Sequence, residues 1–199
     1  MKLFFLVLMS TALLISAANG QRLKVGDTVP VRVFSDVRGQ PLDLSAYTGQ
    51  RVLLTFFRYV GCPVCNVRAH ELMEQHKKLE AAGIRVIAIY QSSPELLLSF
   101  EDTEGIPFSV VADPDGVLYK QFAVRKSFFG LVGSMLKKDV RAKAKQGESL
   151  YAAGAPPKRD GALTRLPADF LISPDGKVLR AHYGKHIADH IPLQELLKP

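Results

Sequence analysis

Apolar residues change their spacing along this chain in a way that separates strands from helices. "RVLLTFF", Arg51 to Phe57, and "IRVIAIY", Ile84 to Tyr90, are nearly unbroken β-favouring runs, which predicts strands buried on both faces, as in a parallel sheet. Between them Ala69, Leu72, His76 and Leu79 recur at helical spacing, Arg68, Glu71, Glu74, Gln75 and Lys78 fall largely on other faces, and Gly83 supplies a C-terminal stop. Strand, one helix of roughly seventeen residues and strand make a βαβ unit, whose crossover is almost always right-handed.

The pattern continues on both sides of that unit. Ser92 and Glu95 fit a capping box for a second helix, with Pro94 in its first turn. Phe108 to Ala112 reads as a strand running into an Asp113-Pro114-Asp115-Gly116 turn. "DFLISPDGKVLRAHY" reads as a hairpin around Ser173-Pro174-Asp175-Gly176, and Leu193 to Leu197 as a short closing helix. Upstream, Gly26-Asp27, Pro30, Asp36, Gly39 and Gly49 punctuate short apolar stretches, a β-rich opening. The expected class is α/β, a mixed sheet with helices on both faces.

One stretch interrupts this order, an insert at about 124–165. "SFFGLVGSMLKKDVRAKAK" predicts a helix with Phe128, Phe129, Leu131, Val132, Met135 and Leu136 as its apolar portion and a basic tail; "GESLYAAGAPPKRDGA" after it reads as a loop. The expectation is that the insert packs across the domain and lids the cysteines. Contact with an apolar peptide or a membrane is the second reading.

Length and charge narrow the function. The 199 residues fit one domain after a leader, residues 21–199, large enough for a core without staples. The net charge is +7, but Lys and Arg are scattered except in "KKDVRAKAK", Lys137 to Lys145. No zinc finger, aromatic RNA motif or phosphate-cradling glycine loop accompanies them, so no nucleic-acid partner is expected. "MKLFFLVLMSTALLISAANG" places Lys2 before an apolar run that ends in small residues. This reads as a signal peptide, residues 1–20, cut after Ala18 or Gly20, with an uncleaved anchor as the other reading. The expected location is therefore exported, periplasmic or secreted, with no membrane contact once the signal is removed.

The chain has two cysteines, Cys62 and Cys65, at the end of the first long strand where the helix begins. Closing so short a loop adds little chain-entropy stabilisation, so the pair serves chemistry better than scaffolding. A thiol at a helix N-terminus faces free backbone N–H groups and the positive end of the helix dipole, which favour thiolate. Cys62 is thus the expected nucleophile, the more exposed sulfur, and Cys65, one turn in and more buried, its resolving partner, with Pro63 stiffening the turn. Arg58 and Arg68 are cations able to favour the thiolate. No carboxylate lies in the strand leading to the site, so no local acid or base is evident. Zinc wants four ligands, and neither a second CxxC nor a Cys/His pair exists. Copper could use both thiolates with His182, His186 or His190, and a metal-delivery protein is the alternative function; an inert structural disulfide is a third reading. CxxC at a strand-to-helix junction of a βαβ unit reads as a thioredoxin-like redox motif.

On "VGDTVP", "GQRVLLTFFRYVGCPVC", "ADPDGVLYKQFAV" and "RLPADFLISPDGKVLRAHYG", roughly residues 24 to 197, the sequence resembles the thioredoxin-fold, peroxiredoxin-like alkyl hydroperoxide reductase/thiol-specific antioxidant group. The resemblance implies a thioredoxin-like fold and an antioxidant oxidoreductase without a cofactor. It would be served by a thiol reductant or a disulfide-bearing protein, with a peroxide as a further substrate. It also implies that Pro167 is the cis-proline facing the cysteines, binding substrate with Arg58. Thr55 and Tyr59 stand where typical members carry the proline and threonine that precede the cysteine.

Overall fold

The computed structural model describes residues 20–198, so the expected signal peptide lies almost entirely outside the described residues. A hairpin of β1 (Val33–Ser35) and β2 (Pro41–Asp43) opens the chain. The βαβ unit follows as β3 (Arg51–Phe56), α1 (Pro63–Glu74), α2 (His76–Ala81) and β4 (Ile84–Tyr90). Then come α3 (Pro94–Glu104), β5 (Ser109–Ala112), α4 (Val117–Gln121), α5 (Phe128–Leu136), α6 (Lys138–Ser149), β6 (Ala168–Ile172), β7 (Val178–Tyr183) and α7 (Leu193–Leu196). The main sheet has the order β5-β4-β3-β6-β7, parallel across β3, β4 and β5 and antiparallel across β6 and β7. This is the mixed α/β sheet the pattern predicts.

Alternation along the central strands divides two cores. Val52, Leu54 and Phe56 face one, with Ile87, Ile89, Phe170 and Ile172, under the β1–β2 hairpin and α4. Leu53 and Phe57 face the other, with Val86, Tyr90 and Leu171, under α1, α2, α3 and α7. Both faces of β3 are therefore dry, which is why its sequence is a run rather than an alternation. Tyr119 of α4 ties the strand ends, donating its hydroxyl to the carbonyls of Phe57 at 2.8 Å and Ile89 at 3.0 Å.

Three local expectations change. The seventeen-residue helix is two: Gln75 leaves helical geometry at ψ 4°, and α2 restarts after it with Leu79 fully buried in the core and the helix packed against β4. The cap of α3 is Ser93, whose side chain accepts from Leu96 N–H; Ser92 Oγ is already engaged by Val60 N–H and Asp160. The insert is two helices, divided at Lys137, which stands in extended geometry. Of these α6, not the apolar α5, is the one packed along α1.

The closest approach of α6 to α1 is backbone on backbone. A Cβ placed on Gly147 would sit 1.8 Å from the Pro63 carbonyl oxygen, and Asn66 Nδ2 donates to the Gly147 carbonyl at 3.2 Å. Gly147→Ala is expected to force the helices apart and to lower unfolding stability by about 1–3 kcal/mol, read from the midpoint of a urea titration. An unchanged midpoint would show that the contact is not maintained in solution.

Candidate active site

β3 ends at the centre of the sheet and the chain turns through residues 57–61 into α1, so the first residue of CPVC becomes the helix cap. Cys62 is the N-cap of α1, in extended geometry, and its sulfur accepts the Cys65 N–H at 3.3 Å; Pro63 occupies the first turn, where its missing N–H costs nothing. Cys62 and Cys65 are joined as a disulfide with their Cα atoms 5.2 Å apart. Arg58 Nη1 reaches Cys62 Sγ at 3.3 Å. Its Nη2 donates to the Leu163 carbonyl and its guanidinium lies over the Tyr59 ring at 5.2 Å. Burial pulls the Arg58 pKa down, opposed by the neighbouring Tyr59.

The site is more closed than the sequence implies. Cys62 was expected to be the exposed sulfur, yet it is 0% exposed and Cys65 3%. The reason is the loop half of the insert, which is clamped over residues 59–61. Tyr151 donates its hydroxyl to the Val60 carbonyl at 2.8 Å. Asp160 accepts from Ser92 Oγ at 2.8 Å and Ser93 N–H at 2.7 Å. Gly61 lies so close to the Pro157 carbonyl that a Cβ would meet its oxygen at 2.2 Å. The lid thus comes from residues 151–163 rather than from the apolar helix.

A second correction concerns Pro167. No cis peptide bond occurs among the described residues, so the cis-proline implied by resemblance is a trans one. An X–Pro bond favours trans by about 0.5–1 kcal/mol, and the hydrogen bonds on either side of Pro167 are made with this bond trans. Leu166 N–H donates to the Arg125 carbonyl and the Pro167 carbonyl accepts from Gly184 N–H. The ring packs toward Gly184.

Tertiary structure also supplies an ionisable group that the local sequence lacks. Asp169, wholly buried in β6, lies opposite Thr55 of β3 and accepts its hydroxyl at 2.7 Å. The same carboxylate binds His190 Nδ1 at 2.9 Å and Ile191 N–H at 2.6 Å, with Arg68 Nη2 at 3.9 Å. Burial pushes the Asp169 carboxyl up, but His190, Arg68 and the Thr55 hydroxyl together outweigh it and hold it well below the usual carboxylate range. Since an ionised carboxylate only accepts, His190 Nδ1 carries the shared proton. A cavity of about 630 Å³ beside this cluster is lined by Val64, Arg68, Lys143, His190, Pro192 and Leu193, and by neither cysteine. Arg68, read from sequence as a cation for the thiolate, instead serves this carboxylate and the Ile191 carbonyl, at 2.9 Å. The one sequence signal for Asp169 is its charge inside the otherwise apolar "ADFLI".

The histidines do not assemble with the thiols into a metal site. His190 is bound to Asp169 and His182 Nε2 to Asp189 at 2.9 Å. Among the described residues no cluster of three His, Cys, Asp or Glu side chains has the spacing to hold an ion. The copper reading is not favoured.

The profile of the AhpC/TSA family matches residues 25–181. The chain belongs to that family. Peroxiredoxin Bcp of Escherichia coli is 36% identical over 110 residues, 54% of this chain and 70% of that protein. The fold is shared with the crystal structures of peroxidoxin BcpB from Mycobacterium tuberculosis (TM-score 0.62, 19% identity, 88% of this chain and 95% of that one) and of a PrxQ mutant from Xylella fastidiosa (TM-score 0.61, 20% identity, 89% and 95%). The chain is a peroxiredoxin-like thiol oxidoreductase of thioredoxin-like fold.

The buried carboxylate generates a test with a defined sign. A folded-state pKa below the unfolded value of about 3.9 contributes stability above that pH and loses it as pH falls toward the folded value. Asp169→Asn should therefore cost about 3–5 kcal/mol at pH 7, because Arg68 loses the charge that compensates it in a buried site. The gap to the unsubstituted protein should narrow below about pH 4. Urea titrations at pH 7 and pH 3 measure both; a gap independent of pH would mean that Asp169 is not charged in the folded protein.

Proposed function

We propose that this protein is an exported thiol peroxidase that cycles Cys62–Cys65 between dithiol and disulfide. Cys62 is the nucleophile, Cys65 the resolving thiol, and a dithiol protein the external reductant. The observation that carries the reading is the environment of Cys62 Sγ, at a helix N-cap with the Cys65 N–H and the Arg58 guanidinium both within 3.3 Å. When the pair is reduced, those donors favour thiolate at Cys62 over thiol.

The thiolate attacks the terminal oxygen of a hydroperoxide. The S–O bond forms as the O–O bond breaks, and the alkoxide leaves and takes a proton from solvent, so the two-electron oxidation leaves Cys62 as a sulfenic acid. Cys65 sulfur then attacks Cys62 Sγ, expelling hydroxide, which combines with the Cys65 proton as water and leaves the disulfide. Two electrons and two protons from the reductant dithiol restore the start through a mixed disulfide. In this reading Arg58 holds the peroxide oxygens beside Sγ as well as stabilising the thiolate, supported by its contact with that sulfur. Tyr59, where typical members have threonine, instead offers its carbonyl to the Cys62 N–H at 3.1 Å and its ring to Arg58. Both sulfurs being covered, the 151–163 segment must lift for substrate and reductant to reach them. Disulfide exchange with a partner protein uses the same two sulfurs and is the second reading, favoured by the absence of that threonine hydroxyl.

Cys62→Ser should abolish turnover with hydroperoxides and with disulfides. Cys65→Ser should still lose its Cys62 thiol in one fast phase on stopped-flow mixing with an alkyl hydroperoxide, yet fail to turn over. A phase no faster than that of a free thiol removes the peroxidase reading and leaves disulfide exchange. Arg58→Met should slow alkylation of reduced Cys62 by iodoacetamide at pH 7 about tenfold or more, since a neighbouring cation lowers a thiol pKa by about 1–3 units. For export, N-terminal sequencing of the protein recovered outside the cytoplasm should begin at Asn19 or Gln21; an N-terminus at Met1 overturns cleavage.

A further inference from the structure

The nine residues of α5, "FFGLVGSML", contain no charged side chain, and the one hydroxyl is turned inward. Ser134 Oγ donates to the Gly130 carbonyl and accepts the Ile187 N–H at 3.0 Å, while Gly130 lies against Leu166 and the Lys185 carbonyl. One side of the helix is thus fixed to the domain. The other side is bare: Phe129 is 86% exposed, Leu136 75%, Phe128 65% and Met135 62%, with Val132 between them. Single exposed apolar residues need no explanation, but five on one short helix do.

Charge surrounds this patch. Between Arg125 and Lys145 the chain holds seven Lys or Arg and one Asp, a net +6 against +7 for the whole chain. Arg125 and Lys126 precede α5, Lys137 and Lys138 follow it, and all four are exposed, as are Arg141 and Lys145 of α6. Arg141 also closes the helix end, donating to the Met135 carbonyl at 2.8 Å and the Leu136 carbonyl at 3.1 Å.

We propose that α5 is a membrane-docking helix. It inserts Phe128, Phe129, Val132, Met135 and Leu136 among the acyl chains of an anionic phospholipid surface while the cations at both its ends bind headgroup phosphates. Binding at a bilayer interface grows with the apolar area buried at the headgroup boundary and with the attraction of Lys and Arg to anionic lipid, and long basic side chains reach the phosphates from that depth. A protein cleft would have to match this apolar side and present acidic groups at both ends of the helix. An anionic bilayer meets both demands with no shape to match. The docking helix is also joined to the cover of the thiol site: Ser127 N–H donates to the Thr164 carbonyl and Leu166 N–H to the Arg125 carbonyl, next to the Leu163 carbonyl that holds Arg58.

The chain has no tryptophan, so Phe129→Trp in the full chain gives a local reporter. Locality matters because the apolar run at the chain start would also hold the protein on a vesicle. Trp emission should shift to shorter wavelength and be quenched by brominated acyl chains on vesicles of equal parts phosphatidylcholine and phosphatidylglycerol. Val33→Trp, on exposed β1, should do neither. Adding Lys137→Gln and Lys138→Gln should weaken the partition measured at residue 129 about fivefold per lysine. The proposal is overturned by emission that anionic vesicles leave unmoved, by an equal response on pure phosphatidylcholine, or by an equal response at residue 33. A shift that appears without lipid as protein concentration rises would place a second copy on the helix and overturn it equally.

Discussion

The carboxylate of Asp169 is wholly buried, and the groups that hold it toward its ionised form come from three other parts of the chain. Thr55 reaches it from β3, Arg68 from α1, and His190 and the Ile191 N–H from the segment after β7. An unpaired charge at that depth would cost several kcal/mol, so these four groups hold their places together. Two of them flank the redox pair in sequence: Thr55 is in the strand that leads to Cys62, and Arg68 is one turn beyond Cys65 on the same helix. The cluster therefore fixes α1 on β6, and with it the position at which the Cys62 cap meets the sheet.

Upon that frame the chemistry needs little. Backbone geometry alone makes Cys62 an N-cap, and one side chain, Arg58, adds charge at the sulfur. Burial strengthens both interactions by excluding the water that would screen them. It also imposes a requirement on dynamics, because the same segment that dries the site, residues 151–163, stands between the sulfurs and any oxidant or reductant. That segment is held by the bonds of Tyr151, Ala152, Asp160 and the Leu163 carbonyl, and after Tyr151, whose ring is buried against Phe100, it runs through an exposed Ala/Gly/Pro-rich sequence. Local opening costs least where few buried contacts are lost.

The sequence carried the strands well because β3 and β4 are buried on both faces and so announce themselves as runs, and CPVC between them located the helix start. What it could not carry depended on partners far along the chain. The cover over Cys62 comes from roughly ninety residues later, across the insert, so nothing near the cysteine in sequence announces its burial. Arg68 has the same composition as any helix-surface cation, and only the approach of β6 turns it inward. Asp169 was visible as a charge in an apolar strand, but its four partners were not. The cis assignment of Pro167 rested on position within a resemblance, whereas the actual geometry follows the hydrogen bonds of its neighbours.

The insert shows why hydrophobic pattern alone does not decide burial. α5 is the most apolar helix of the insert and α6 among its most charged, yet α6 lies along α1 and α5 leaves five large side chains in solvent. Backbone shape resolves the inversion. Gly147 allows the backbone of α6 to approach Pro63 directly, and beyond the extended residue Lys137 only Leu131 and Ser134 of α5 are buried. A helix selected only for folding would carry polar residues on such a face, since exposed Phe and Leu contribute nothing to the folded state and favour aggregation. That this face is apolar, and that exposed cations stand at both ends of its helix, is explained by a surface that accepts both.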